Sequence, residues 1–246
     1  MRFLFSLMFC GYVFGQIIPV GSVNTNFAWT VTNNQINSCT TCTTTLSAPA
    51  FTAPLTAGSL ILVGSSMFTT FSTTQSLSDT AGNTYTKLQD SQWTGGTPIL
   101  WCANNSHTTA SNVVTITSTP VIDGAILAVE IVSSKTATLN CSTNLDDTKV
   151  ASGTATGTTN NAAISNGMNL SANSGTFIFG WSNSINGTLS AGTSPYAFQA
   201  LQPPVVTNTF SMGTYYILAG TVNPFLGTFS ISGGGGYQSY AAAFHP

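Results

Sequence analysis

The sequence predicts an all-β fold: a two-sheet, jelly-roll-like β-sandwich of about eleven strands behind an N-terminal signal peptide. Three observations predict it. Thr, Ser and Asn number 40, 29 and 20 among 246 residues, over a third of the chain, and β-branched Thr suits a pleated surface. No long window carries a 3.6-residue apolar period. Short alternating runs recur instead, punctuated by Gly, Asn, Ser and Pro.

The elements follow in chain order. Met1 and Arg2 form a short positive start, and Phe3 to Phe14 is an apolar run too short to span a bilayer. Gly15 supplies the small residue before a cleavage point, so residues 1–15 read as a signal peptide and Gln16 as the new N-terminus. Phe9, directly before Cys10, does not fit a lipidation signal. Candidate strands are 27–32, 59–66, 83–89, 98–103, 112–118, 124–133, 175–182, 196–201, 213–222, 226–232 and 236–244. In 124–133, Ala125, Leu127, Val129 and Ile131 share one face, and Ile126, Ala128, Glu130 and Val132 share the other. Both faces are largely apolar, which predicts a central strand buried on both sides. Phe177, Phe179 and Trp181 form an aromatic face that reads as core. The stretches 33–58 and 134–174 are polar and read as loops or edge strands. Strands resume after each gap with the same character, so residues 16–246 read as a single β-sandwich domain.

Charge excludes several functions. Only four Lys+Arg and six Asp+Glu occur, 4% of residues, against about 25% in an ordinary domain. Nucleic-acid binding is excluded, because neutralising phosphates needs clustered cations. Disorder is excluded, because it needs low hydrophobicity with high net charge, and here the net charge is −2. No second apolar stretch reaches membrane-spanning length, so no transmembrane anchor is expected. The expected location is secreted, extracellular or cell-surface. Cys39, Cys42, Cys102 and Cys141 remain after signal removal. An even number in an exported chain predicts two disulfides with three possible pairings. Cys39–Cys42 as a small clip and Cys102–Cys141 across the sandwich are preferred.

One stretch carries a resemblance. Asp79-Thr80-Ala81-Gly82-Asn83-Thr84-Tyr85-Thr86 is followed by Leu100-Trp101-Cys102-Ala103, by Asn112-Val113-Val114-Thr115-Ile116-Thr117, and by Ala128-Val129-Glu130-Ile131. This resembles a group of uncharacterised secreted β-sandwich proteins of environmental bacteria and their phages. Their pattern is D-x-x-GNTYT, then W-x-A, then TVT, then A-x-E. The chain departs from it where Glu130-Ile131-Val132-Ser133 replaces Glu-Tyr-Ser-Gly. The resemblance covers roughly residues 55–244 and implies a jelly-roll-like sandwich at the cell surface or beyond. It implies no catalytic residues. On its own chemistry, Ala81-Gly82-Asn83 is a turn, with Asp79 expected to bond local backbone.

Chemistry is sparse. His107 sits in a polar loop and His245 is penultimate, where fraying is the default. No nucleophile–base pair is evident, so the chain is not expected to be an enzyme. Glu130 interrupts an apolar strand and must be hydrogen-bonded or face a cleft; it is a candidate ligand-binding residue. Trp93 in a polar loop, with Tyr237 and Tyr240 after the GGGG run at 233–236, could bind sugars through exposed aromatic faces. No cofactor is expected; calcium would use Asp146 and Asp147 with Asp123. Asn104, Asn140, Asn169 and Asn186 open Asn-x-Ser/Thr sequons.

The expectation is a secreted, non-catalytic surface protein, structural or adhesive. It would self-associate into an extracellular fibre or coat by strand addition, with residues 16–32 as the exchanged or donor strand. The alternatives are a carbohydrate-binding, lectin-like protein that takes glycans as partners, and a virion decoration or fibre protein.

Overall fold

The computed structural model describes residues 28–40, 44–68, 74–90, 97–119, 123–155, 160–163, 167–170, 175–191, 209–218, 228–233 and 235–246. These residues form fifteen strands and no helix. The first eight are β1 (Trp29–Cys39), β2 (Thr45–Ser47), β3 (Leu60–Phe68), β4 (Thr74–Asp79), β5 (Tyr85–Asp90), β6 (Thr97–Asn104), β7 (Val114–Thr119) and β8 (Asp123–Ser133). The other seven are β9 (Leu145–Ala155), β10 (Asn160–Ala163), β11 (Thr176–Ile185), β12 (Thr188–Ala191), β13 (Thr209–Leu218), β14 (Thr228–Ser232) and β15 (Gly235–Phe244).

The all-β sandwich is as expected, but two sheets become four. The sheet orders are β1-β8-β3-β6-β5, β2-β7-β4, β13-β11-β15-β9 and β10-β14-β12. Three apolar cores separate them. Leu46, Phe51 and Ile116 meet Ile61, Val63, Trp101 and Ile126 between the first two sheets. Leu60, Leu62, Leu127 and Val129 meet Phe177, Phe179, Trp181 and Tyr240 between the two large sheets. Ile178, Met212 and Ala241 meet Leu189, Phe229 and Ile231 between the last two. The layers therefore run small sheet, large sheet, large sheet, small sheet. The central strands β8 and β11 of the inner layers are buried on both faces, which is why 124–133 carries no polar face and why Ile178 flanks the Phe177, Phe179 and Trp181 stripe.

The four sheets are one topology used twice. Residues 28–133 give β1-β8-β3-β6 backed by β2-β7-β4, and residues 145–244 give β9-β15-β11-β13 backed by β10-β14-β12. Among the described residues the strands correspond in chain order, β5 of the first half apart. The registers correspond too. Leu60 pairs with Ile131 and Gly64 with Leu127; Phe177 pairs with Phe244 and Trp181 with Tyr240. Even the bulge recurs. In the first half the register skips from Val31–Ile131 to Asn33–Glu130, and in the second from Leu145–Phe244 to Asp147–Ala243. Gly58 and Gly175 enter β3 and β11 with φ of +87° and +77°, a conformation that favours glycine. Each half is a jelly roll, with its first, third, third-from-last and last strands forming the inner sheet. In the first half β5 extends the inner sheet beside β6 instead of lying beside β4.

The halves interlock through unequal residues at equivalent positions. A Cβ on Gly64 would lie 2.5 Å from the Trp181 ring, and one on Gly213 would overlap the Leu127 side chain. The missing side chains let the two large sheets close. Each fully buried large side chain in this layer contributes about 1.5–3 kcal/mol. Polar bonds mark one end of it. Trp181 Nε1 donates to Ser66 Oγ at 2.5 Å, and Ser66 Oγ donates to Asn183 Oδ1 at 2.7 Å.

Several expectations change here. The polar stretches 33–58 and 134–174 contain β2, β9 and β10, and β1 runs on to Cys39. Trp29–Thr32, expected in a donor strand, belong to β1, where Trp29, Thr30 and Val31 pair with β8 of the same chain. Residues 16–27, the signal segment and the candidate strand 196–201 lie outside the described residues. The Cys102–Cys141 bond forms, with Cα atoms 5.9 Å apart. It does not cross the sandwich; it ties the connection between the halves back onto β6. Cys39 is also disulfide-bonded, and Cys42 lies outside the described residues.

Candidate functional site

Glu130 anchors one end of the first jelly roll. Its place on β8 points it into the core beneath the small sheet, and it is 0% exposed. Four donors of the chain hold its carboxylate. Thr32 Oγ1 and Asn33 Nδ2 donate to Oε2 at 2.7 and 2.6 Å; the Thr56 amide and Ser59 Oγ donate to Oε1 at 2.6 and 2.8 Å. The bulge in β1 is what brings Thr32 and Asn33 to it. Among the described residues no cation takes part. Hydrogen bonds to a charged acceptor are strong, and four of them offset its desolvation. Glu130 thus pins β1, β8 and the 53–59 loop together and is closed to ligands.

The network continues outward. Buried Asn105 donates through Nδ2 to Ser59 Oγ at 3.0 Å and to the Thr56 carbonyl at 2.8 Å. The same Nδ2 donates to the His107 carbonyl, and Asn105 Oδ1 accepts the His107 amide, both at 3.0 Å. One buried amide therefore shapes the loop after β6.

The Asp79–Tyr85 element is the second built corner. It carries the chain from β4 in the small sheet to β5 in the large one. Asp79 Oδ1 accepts the Asn83 amide at 2.9 Å, the local backbone bond expected of it. Asp79 Oδ2 accepts Asn83 Nδ2 at 2.8 Å, the Tyr85 hydroxyl at 2.9 Å and Asn112 Nδ2 at 3.1 Å. Asn112, fully buried, accepts the Ala81 amide at 3.0 Å on its Oδ1. Burial, and then the Asp79 carboxylate, push the Tyr85 hydroxyl well above the ordinary tyrosine range.

An open cleft of about 340 Å³ lies between these two devices. Asn83, Thr84 and Thr86 line it from the corner and β5, and Asn104, Ser106 and His107 from the loop after β6, with the Cys102–Cys141 disulfide beside them. Among the described residues no Lys, Arg, Asp or Glu lines it.

The other predicted residues are distributed differently. Tyr240 is not an exposed aromatic: it is 0% exposed in the core between the halves, because alternation along β15 turns it inward. Tyr237 is half-buried and packs edge-on against Phe229, ring centres 5.3 Å apart. Trp93 lies outside the described residues. His245 is not frayed; its Nδ1 lies 2.8 Å from Asp146 Oδ1, and its amide donates to the Asn144 carbonyl. Asp147 accepts the Asn169 amide and pairs with Lys149 at 3.1 Å. Asp123 does not join these two carboxylates. Among the described residues no group of three or more His, Cys, Asp or Glu side chains is placed to hold a metal. Asn104, Asn169 and Asn186 are exposed and Asn140 is half-buried. Asn104 Oδ1 accepts the Cys141 amide at 2.7 Å, and Asn140 Oδ1 accepts the Ser142 amide at 2.8 Å. Asn186 sits in a turn with φ of +61°.

The cleft escaped the sequence reading. Its walls come from residues some twenty positions apart. Only the Asp79–Thr86 element, already conspicuous, marked one of them.

No protein-family model, curated protein or solved structure matches the chain.

Proposed function

We propose that this chain is a secreted, non-catalytic surface protein, a structural or adhesive unit of an extracellular fibre or coat. One observation supports the reading most. Two jelly rolls share a central core, so the chain makes a four-layer block whose inner sheets are both covered. Such a block suits repeated lateral contact, and jelly rolls recur in coats and in binding domains. Charge is consistent with this. Glu130 and Asp79 are committed to holding loops, and Asp146 and Asp147 to partners within the chain. The scarcity of charge leaves edges and faces with little mutual repulsion. Strand addition by the residues that precede β1 is the route of assembly in this reading.

Electron microscopy tests it, on protein purified without residues 1–15 and on native surfaces. Filaments or ordered sheets in either sample are expected. Monodisperse monomers in both would overturn it.

A further inference from the structure

We propose that the cleft beside the Cys102–Cys141 disulfide binds a neutral, hydroxyl-bearing ligand, a single sugar unit of a glycan. Such binding is independent of fibre or coat assembly. In the adhesive form of that reading, the cleft would supply the contact.

Unused hydrogen-bonding capacity converges there. The side chains of Thr84, Thr86 and Ser106 and the imidazole of His107 line the cleft and make no bond to the chain. Asn104 spends its Oδ1 on the Cys141 amide and keeps its NH₂ free. Asn83 Oδ1 is buried without a partner. Hydroxyls both donate and accept, an amide NH₂ donates, and a neutral imidazole does one with each nitrogen. A sugar ring presents the same mixture of donors and acceptors around its rim.

The cleft also excludes other ligands. With no Lys or Arg on its wall it offers a phosphate or carboxylate no counter-charge. With no carboxylate on its wall it offers a cation no anionic ligand. An extended peptide would need pockets for its alternate side chains, and the walls here are mostly polar. Its volume falls at the small end of ligand sites, enough for one ring.

The walls are held from behind. The Asp79 carboxylate locks Asn83 and Tyr85, Asn105 locks the His107 backbone, and the disulfide fixes β6 to the connecting segment. A site held this way loses little freedom on binding. The disulfide has no counterpart in the second jelly roll, since residues 145–244 hold no Cys. In the shared register, Tyr215 stands where the first half has Cys102.

The test is an amide-shift titration of the full ¹⁵N-labelled chain, made in a host that adds no glycans. The probes are the methyl glycosides of glucose, galactose, mannose and N-acetylglucosamine, with phosphate and acetate as charged controls. At least one glycoside should shift the amides of residues 82–86 and 104–107 in a saturable, millimolar manner. The double variant Thr84→Val, Ser106→Ala should weaken that binding about tenfold or more, because it leaves ligand hydroxyls unpaired. Both positions are exposed, so shifts elsewhere should persist and report an intact fold. Silence of these amides toward every glycoside would overturn the proposal. So would a response unchanged in the variant, or a stronger response to phosphate or acetate. None of these results bears on whether filaments form.

Discussion

The two jelly rolls share topology, register and even a bulge, yet they are stabilised differently. The first places a charged carboxylate beneath its bulge and surrounds it with four donors. The second has Ala243 at the position of Glu130, and puts carboxylates on the bulge strand instead, Asp146 against His245 and Asp147 against Lys149. The first fills its side of the shared core with Leu60, Leu62 and Leu127, the second with Phe177, Phe179, Trp181 and Tyr240. One backbone plan thus accepts polar clamping or aromatic packing. The half that clamps its loops is the half that carries the cleft. A rigid loop frame costs buried polar groups, and those groups persist where something needs holding.

The largest expected effect comes from breaking the clamp. Glu130→Ala leaves four donors unpaired, those of Asn33 and Ser59 buried and those of Thr32 and Thr56 partly so, and should cost about 3–5 kcal/mol after water recovers part of it. Urea unfolding measures this. The reciprocal Ala243→Glu should be at least as damaging, because the carboxylate arrives beside Asp146 and Asp147. A loss under about 1 kcal/mol for Glu130→Ala would show that the halves are held alike after all.

The interlock comes next. Gly64→Ala forces a methyl against the Trp181 ring and should cost about 1–3 kcal/mol. In a Trp181→Leu background the same change should cost less, and a double-mutant cycle reads the difference. Simple additivity would mean that the halves do not meet as closely as this.

The smallest effect concerns the corner. Tyr85→Phe removes one part-buried hydrogen bond that water replaces in part, and should cost about 0.5–1.5 kcal/mol at neutral pH. Its pH dependence is the sharper readout. Tyr85 in the fold holds its proton more tightly than in the unfolded chain. Stability from this group is therefore complete below the ordinary tyrosine value of 10.0 and declines as pH rises above it. The variant should lose that part of the alkaline decline, and denaturation midpoints between neutral and alkaline pH would show it.

The strands that the sequence reading missed have a common cause. β4 (TQSLSD) and β9 (LDDTKVASGTA) carry few apolar residues, and β2 and β10 are three and four residues long. All four lie at sheet edges, where backbone pairing alone supplies the reason to be extended. Glu130 stood out because it was a carboxylate in an apolar run, and burial with hydrogen bonds followed from that. Tyr240 misled because the glycines before it suggested an exposed loop. β15 in fact begins at Gly235, and alternation from there turns Tyr240 inward.

Composition and alternation by themselves determined that this is a β protein, that 124–133 is a central strand and that the Phe177–Trp181 stripe is core. Those properties depend on each residue's own shape and on its neighbours one or two positions away. Only the tertiary structure decided that one plan occurs twice, that Gly64 faces Trp181, and that Asn83, Asn104 and His107 share a cleft. These relations join residues from about twenty to more than a hundred positions apart, and chain geometry rather than local preference brings them together.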